Sequence, residues 1–240
     1  MFVVGIGPGG APDRTHRAEE AIAQSDLVVG YVRYLRLIED LTAQKETIST
    51  GMTREVQRCR IAVERALSGE VVTLVSSGDP GVYGMAGLAL ELAGSIDPSL
   101  DIEIVPGVSA ANAAAARMGA PLMMDYAVIS LSDLLVPWET IRRRLEAVAL
   151  ADLVTALYNP RSKKRIHQLE EAAEIFLRHR PAGTPVGIGT AIGTPEEQVV
   201  LTALGRLLTQ TVNMNSIVIV GNSHSKIVRN RFLTPRGYRV

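Results

Sequence analysis

Cysteine is almost missing from this chain of 240 residues, which holds only Cys59. That excludes an intramolecular disulfide, a cysteine-ligated zinc and an iron–sulfur framework, and it fits a reducing compartment, the cytoplasm. Net charge of either sign is also missing. Lys plus Arg and Asp plus Glu each total 25, which argues against a surface built wholesale for nucleic acid or an anionic membrane. No apolar stretch approaches the roughly 18 residues of a membrane span, and Met1-Phe2-Val3-Val4-Gly5 enters a strand with no basic segment before it. His16, His167, His179 and His224 lack metal-ligand spacing, so no metal site is expected. Repeats and low-complexity tracts are absent too.

What is present is an alternation of short apolar runs with amphipathic stretches. Residues 2–6, 27–30, 46–49, 71–76 and 102–105 read as strands, and 14–24, 31–41, 53–67, 82–93 and 109–118 carry apolar residues at helical spacing. This predicts a largely parallel α/β sheet. Thr53 stands where it would cap the third helix, although Glu55 is one position short of a capping box. The periodicity stops at Gly119-Ala120-Pro121-Leu122-Met123-Met124-Asp125, which divides the chain into residues 1–120 and 121–240. In the second part, 126–131, 153–157, 186–190, 198–202 and 216–220 read as strands, and 138–148 and 162–179 as helices. A short turn, Gly193-Thr194-Pro195, precedes 198–202, so this sheet should be mixed.

Three turns carry the chemistry. Val71-Val72-Thr73-Leu74-Val75-Ser76 breaks into Ser77-Gly78-Asp79-Pro80-Gly81-Val82-Tyr83-Gly84, the pattern of a buried strand delivering Asp79 to the ligand edge of an open sheet. An equally simple reading has Asp79 capping the next helix. Gly5-Ile6-Gly7-Pro8-Gly9-Gly10 follows the first strand and matches the G-x-G-x-x-G of dinucleotide sites. Pro8 removes an N–H from that loop, no acidic residue ends the second strand, and the next helix starts late, so a nicotinamide site is rejected. Val105-Pro106-Gly107-Val108-Ser109-Ala110 follows the fifth strand.

Together these three loops resemble those of the class III, or tetrapyrrole, methyltransferases. Residues 125–133, 158–165, 213–222 and 234–238 resemble one branch, the precorrin-3B C(17)-methyltransferases of the CobJ/CbiH type. The resemblance spans essentially the whole chain. It implies two α/β lobes, a mostly parallel N-terminal sheet and a mixed C-terminal one with the active-site trough between them, and S-adenosylmethionine as methyl donor, leaving as S-adenosylhomocysteine. It further implies a cytoplasmic homodimer, a small tetrapyrrole as substrate, and neither nucleic acid nor membrane as partner. Carried over by position, Pro8, Gly78, Asp79, Val82, Ser109 and Ala110 of the first part, and Asn159, Thr190 and Ala191 of the second, are the cofactor residues. For Ser109, Ala110 and Ala191 ordinary close packing is the alternative.

Methyl transfer to an electron-rich carbon needs alignment rather than an enzyme nucleophile, which agrees with the lack of a Ser/His/Asp or Cys/His set. The ring contraction implied by the branch needs proton transfers, for which Ser132, Asp133 and Tyr158 are candidates at strand ends. Alternatively, Asp133 caps the helix near Trp138 and Ser132 closes a turn. Arg161, Lys163, Lys164 and Arg165 read as the start of a helix. Arg161 and Lys164 are the expected contacts to substrate acetates and propionates, with the other two solvated. The expected reaction is C17 methylation of precorrin-3B or cobalt-precorrin-3 with ring contraction to (cobalt-)precorrin-4, in cobalamin biosynthesis. Its rivals are another class III methyltransferase, acting on a different corrinoid or on uroporphyrinogen, and a non-catalytic nucleotide- or tetrapyrrole-binding module.

Overall fold

The computed structural model describes residues 1–239. Its contacts divide the chain into two compact units, Met1–Ala110 and Ala111–Val240. The division falls ten residues before the break in periodicity.

The first unit holds β1 (Phe2–Gly5), β2 (Leu27–Tyr31), β3 (Glu46–Thr50), β4 (Val72–Ser76) and β5 (Glu103–Val105) in one sheet of order β3-β2-β4-β1-β5. All its pairings are parallel, as expected. Parallel strands need crossovers, and these cover both faces of the sheet. On one face α1 (His16–Gln24) and α2 (Val32–Arg36) bury Ile22 and Leu35 against Val4, Val28 and Val75. The short α3 (Glu39–Thr42) follows. On the other face α4 (Glu55–Leu67) and α5 (Ala86–Ile96) bury Cys59, Ala62 and Ala89 against Val3, Leu27 and Leu74. Successive residues of β1, β2 and β4 thus supply opposite cores, which is why these inner strands are mainly apolar, whereas the edge strands β3 and β5 carry exposed Glu46 and Glu103.

Several local expectations change. The helix expected over 31–41 is broken at Leu37 and Ile38. Thr53 does not cap α4: it lies in the left-handed region at φ 62°, its hydroxyl donates to the Met52 carbonyl, and Arg54 occupies the cap position. The helix expected from residue 82 begins at Ala86, because Pro80 to Met85 form a turn in which Ala86 N–H donates to the Pro80 carbonyl.

The second unit opens with α6 (Ala110–Met118), whose first residue closes the first unit, and the two-residue β6 (Gly119–Ala120). Its main sheet contains β7 (Tyr126–Ser130), β8 (Val154–Tyr158), β9 (Pro185–Thr190), β10 (Gln198–Ala203) and β11 (Ser216–Val220), in the order β10-β9-β11-β8-β7. Only β7 and β8 are parallel to their neighbour; β11 runs antiparallel to both β8 and β9, and β10 antiparallel to β9. The sheet is therefore mixed, as the sequence predicted. One face packs on α7 (Trp138–Leu150) and α8 (Gln168–His179) through Leu145, Phe176, Leu157 and Val218. The other meets α6. A Cβ on Gly187 would strike Met118, and one on Gly189 would come within 3.0 Å of the Ala114 methyl, so these two glycines make room for the helix.

The helix expected over 162–179 begins only at Gln168. Ser162 Oγ accepts the N–H groups of Lys164 and Arg165, folding residues 161–167 into a loop. Arg161 and Lys164 consequently do not open a helix. A further sheet was not expected: β12 (Lys226–Val228) and β13 (Arg231–Leu233) form a hairpin, and β13 pairs in parallel with β6. Arg229 and Asn230 take φ 48° and 57°, the left-handed pair that a two-residue hairpin turn requires. No described helix is long and apolar enough to cross a membrane.

Arg180 fastens one end of this unit. Its Nη1 donates to the Gly221 carbonyl at 2.5 Å and its Nη2 to the carbonyls of Val148 and Leu153, at 3.2 and 2.8 Å. Burial lowers its pKa to about 10, partly offset by Asp152. Cys59, fully enclosed by the first core, has its thiol pKa pushed up to about 12 by that burial. We expect a thiol-reactive disulfide reagent to find no reactive group in the native protein at neutral pH and one after denaturation. Rapid labelling of the native protein would contradict this packing.

Candidate active site

At the C-terminal edge of the first sheet the loops after β4, β1 and β5 lie side by side, because their strands are neighbours. Two of them are joined by backbone. Gly7 N–H donates to the Gly78 carbonyl at 3.2 Å and Gly78 N–H returns to the Gly7 carbonyl at 2.7 Å, with both residues at positive φ, 75° and 63°. The third is held by close approach. A Cβ on Gly5 would fall 2.6 Å from the Gly78 carbonyl oxygen and 2.8 Å from Gly107 N, and one on Gly107 would overlap the carbonyls of Gly78 and Gly5. Glycine is required here because three backbones occupy the space of side chains.

Asp79 fastens the same arrangement. Its Oδ1 accepts the Gly81 N–H at 2.8 Å and its Oδ2 accepts the Gly107 N–H at 3.1 Å. It does not cap α5, whose cap position is Met85 and has no side-chain bond. Each carboxylate oxygen keeps a further lone pair for a polar hydrogen of a ligand. Gly78 faces the Ser109–Ala110 backbone, with Ala110 N 3.6 Å from its ideal Cβ position. Gly81 and Val82 are exposed at the rim, Pro8 is half-buried, and Tyr83 beside them sits at φ 53°. The structure thus gathers Pro8, Gly78, Asp79, Val82, Ser109 and Ala110 at one edge of the first unit.

In the second unit, strands β7, β8 and β9 all end at one edge of their sheet. Tyr158 closes β8, and its Oη accepts the Ala111 N–H at 3.0 Å, satisfying a donor in the first turn of α6. Asn159 follows at φ 50°, and its Nδ2 donates to Ser130 Oγ at 3.0 Å. Ala191, just past β9, also sits at φ 50°, with its N–H donating to the Asn215 carbonyl at 3.0 Å. For alanine, which has no side chain to bond locally, that conformation costs about 1–2 kcal/mol. Thr190 Oγ1 lies 2.8 Å from Ser216 Oγ. Thr190 and Ala191 are therefore held by Ser216, the first residue of β11, and by Asn215 just before it, both part of a motif singled out in the sequence.

The proton-transfer candidates have defined partners. Asp133 does not cap α7, whose cap position is Pro137; its Oδ2 accepts from Gln168 Nε2 at 3.0 Å. Ser132 N–H donates to Ser130 Oγ at 3.2 Å, and its own Oγ accepts from Arg165 Nη1 at 3.3 Å. Of the expected anion contacts, Arg161 is already paired, with Nη2 3.1 Å from Glu170 Oε1, and Lys164 is exposed. Arg165, expected to be solvated, is instead half-buried and turned back onto Asn159, and Ser130, which joins Asn159 to Ser132, is a residue the sequence did not single out. Nothing in the run Arg161-Ser162-Lys163-Lys164-Arg165 marks Arg165 as the cation that the fold draws inward.

This architecture has known counterparts. The model of the Tetrapyrrole (Corrin/Porphyrin) Methylases matches residues 1–208. A cobalt-factor III methyltransferase of Priestia megaterium is 44% identical over 243 residues, covering 100% of this chain, which spans only 45% of that protein. A probable cobalt-factor III C(17)-methyltransferase of Salmonella typhimurium is 44% identical over 238 residues, covering 99% of each chain. Among solved structures, the methyltransferase CobJ shares 35% identity and a TM-score of 0.92 over 98% of both chains. A uroporphyrin-III C-methyltransferase of Thermus thermophilus, solved with S-adenosyl homocysteine, shares the fold at TM-score 0.70 and 22% identity, covering 92% of this chain and 96% of that one. The chain belongs to the tetrapyrrole methylase family.

The glycine contact yields a paired prediction. Gly107→Ala should lower the free energy of unfolding by the cost of overpacking, about 1–3 kcal/mol or more. Gly87→Ala, on α5 with open space at its Cβ position, should raise it by roughly 0.5–1 kcal/mol. Equal effects in urea unfolding would show that the loops are not tightly packed.

Proposed function

We propose that this protein is an S-adenosylmethionine-dependent methyltransferase that methylates C17 of precorrin-3B or its cobalt-containing counterpart and contracts the macrocycle, in cobalamin biosynthesis. The observation that carries the reading is the 44% identity to the Salmonella typhimurium C(17)-methyltransferase with 99% of both chains covered. Cobalt, where present, belongs to the substrate.

The glycine-bound edge of the first unit fits such a donor. Backbone replaces side chains at Gly5 and Gly107, Gly78 turns at positive φ between them, and Asp79 offers oxygen lone pairs already oriented by two N–H groups. Pro8, Gly78, Asp79, Val82, Ser109 and Ala110 hold the cofactor in this reading, with Asn159, Thr190 and Ala191 from the second unit. Bound S-adenosylmethionine supplies an electrophilic methyl group on a sulfonium. The protein aligns the acceptor carbon with it, and strain stored at Ala191 keeps a backbone position fixed for contact.

For the proton transfers of ring contraction, Tyr158 is a candidate phenol at the end of β8, its Oη positioned by the hydrogen bond it accepts from Ala111 N–H. Ser132 Oγ accepts from Arg165 and directs its hydroxyl hydrogen elsewhere. Asp133 Oδ2 is steadied by Gln168, leaving Oδ1 to receive a proton. The same reading carries a homodimer in the cytoplasm.

Incubation with S-adenosylmethionine and either macrocycle should yield a product one methyl heavier, detected by mass spectrometry; folded protein that transfers no methyl to either contradicts the proposal. Asp79→Ala should weaken S-adenosylhomocysteine binding by about tenfold in calorimetry, since it removes an acceptor and frees the loop it anchors. Undiminished affinity would remove Asp79 from the cofactor site.

A further inference from the structure

The cations that follow β8 are equivalent in sequence, and the fold separates them. Arg161 is paired with Glu170, and Lys163 and Lys164 are exposed. Arg165 is half-buried and turned back onto the loop: its Nε donates to the Asn159 carbonyl at 2.8 Å and its Nη1 to Ser132 Oγ at 3.3 Å. Both acceptors are neutral. Among the described residues no carboxylate lies within ion-pair distance of this guanidinium, and Nη2 makes no hydrogen bond. Asp133 acts on it electrostatically from beyond ion-pair distance and accepts from Gln168. Burial accordingly holds the Arg165 pKa below the usual arginine range. A cation that has lost water and gained only neutral partners is stabilised by an incoming anion, and its planar fork fits a carboxylate.

The two nitrogens already bonded fix the direction of the rest. Nε and Nη1 are held by the segments that end β8 and β7, so the guanidinium is oriented before any ligand arrives. The loop that carries Ser132 continues into Leu134 and Leu135, 77% and 91% exposed, which suits a ligand that is apolar apart from its carboxylates.

We infer that Arg165, rather than Arg161 or Lys164, is the specificity-determining cation of the second unit and receives a peripheral carboxylate of the tetrapyrrole substrate. The inference rests on the proposed function for its ligand class, and its test does not require turnover. Binding of uroporphyrin, an octacarboxylate tetrapyrrole, is followed by its own fluorescence anisotropy for the wild type and for Arg165→Gln, Arg165→Lys, Arg161→Gln and Lys164→Gln. Calorimetry with S-adenosylhomocysteine runs alongside. Arg165→Gln should bind uroporphyrin at least about tenfold more weakly, Arg165→Lys should recover part of the loss, and the other two should stay within about twofold of wild type. Affinity for S-adenosylhomocysteine should change by less than about twofold throughout.

Equal binding by the wild type and Arg165→Gln overturns the inference, as does a wild type that does not bind uroporphyrin. Parallel loss of both ligands without rescue by lysine also overturns it, because Arg165 would then only brace the Asn159 loop. A wild type that binds uroporphyrin through Arg165 but methylates neither precorrin-3B nor its cobalt counterpart fails the proposed function and leaves this inference standing.

Discussion

The contact on which the rest of the candidate site depends is the approach of three backbones at Gly5, Gly78 and Gly107. Parallel pairing brings the ends of β4, β1 and β5 to one edge, but pairing alone would leave three loops free to splay. The reciprocal hydrogen bonds between Gly7 and Gly78, and the absence of any Cβ at the crossing, turn them into one rigid surface. Asp79 then acts within that surface. Its two backbone partners lie in different loops, so a single carboxylate both fixes the shape and presents acceptors to a ligand.

The second unit reaches a similar end by different means. Its edge carries no glycine crossing; instead Asn159 and Ala191 are held in the left-handed region that L-residues seldom occupy. Asn159 is supported through Ser130 and Arg165, and Ala191 through Asn215 and Thr194. Strained positions persist only where surroundings over-determine them, and both stand just beyond strands of one sheet. Tyr158 adds a tie to α6, so a residue proposed for proton transfer also seats a helix.

Much of this was legible in the sequence, because buried parallel strands are continuous apolar runs and the turns after them are rich in glycine. The first sheet and the mixed character of the second follow from those signals, the latter from the short turn at Gly193-Thr194-Pro195. Three kinds of feature escaped. The late start of α8 depends on Ser162 capturing two N–H groups, a local bond that helical spacing does not reveal. The hairpin of β12 and β13 has an exposed first strand and a turn, Arg229-Asn230, without glycine. The sorting of four neighbouring cations depends on long-range partners, as does the discovery that Asp79 reaches Gly107 rather than capping a helix. Sequence placed the residue types; only the fold assigns their bonds.

The central claim is that this chain, a tetrapyrrole methylase by family, acts at carbon 17 of its macrocycle. Carbon-13 NMR of the product formed from methyl-labelled S-adenosylmethionine and precorrin-3B or its cobalt counterpart tests it most directly. The account predicts one enriched methyl signal coupled to carbon 17. A labelled methyl at any other ring carbon would keep the chain in its family and contradict the substrate position assigned to it.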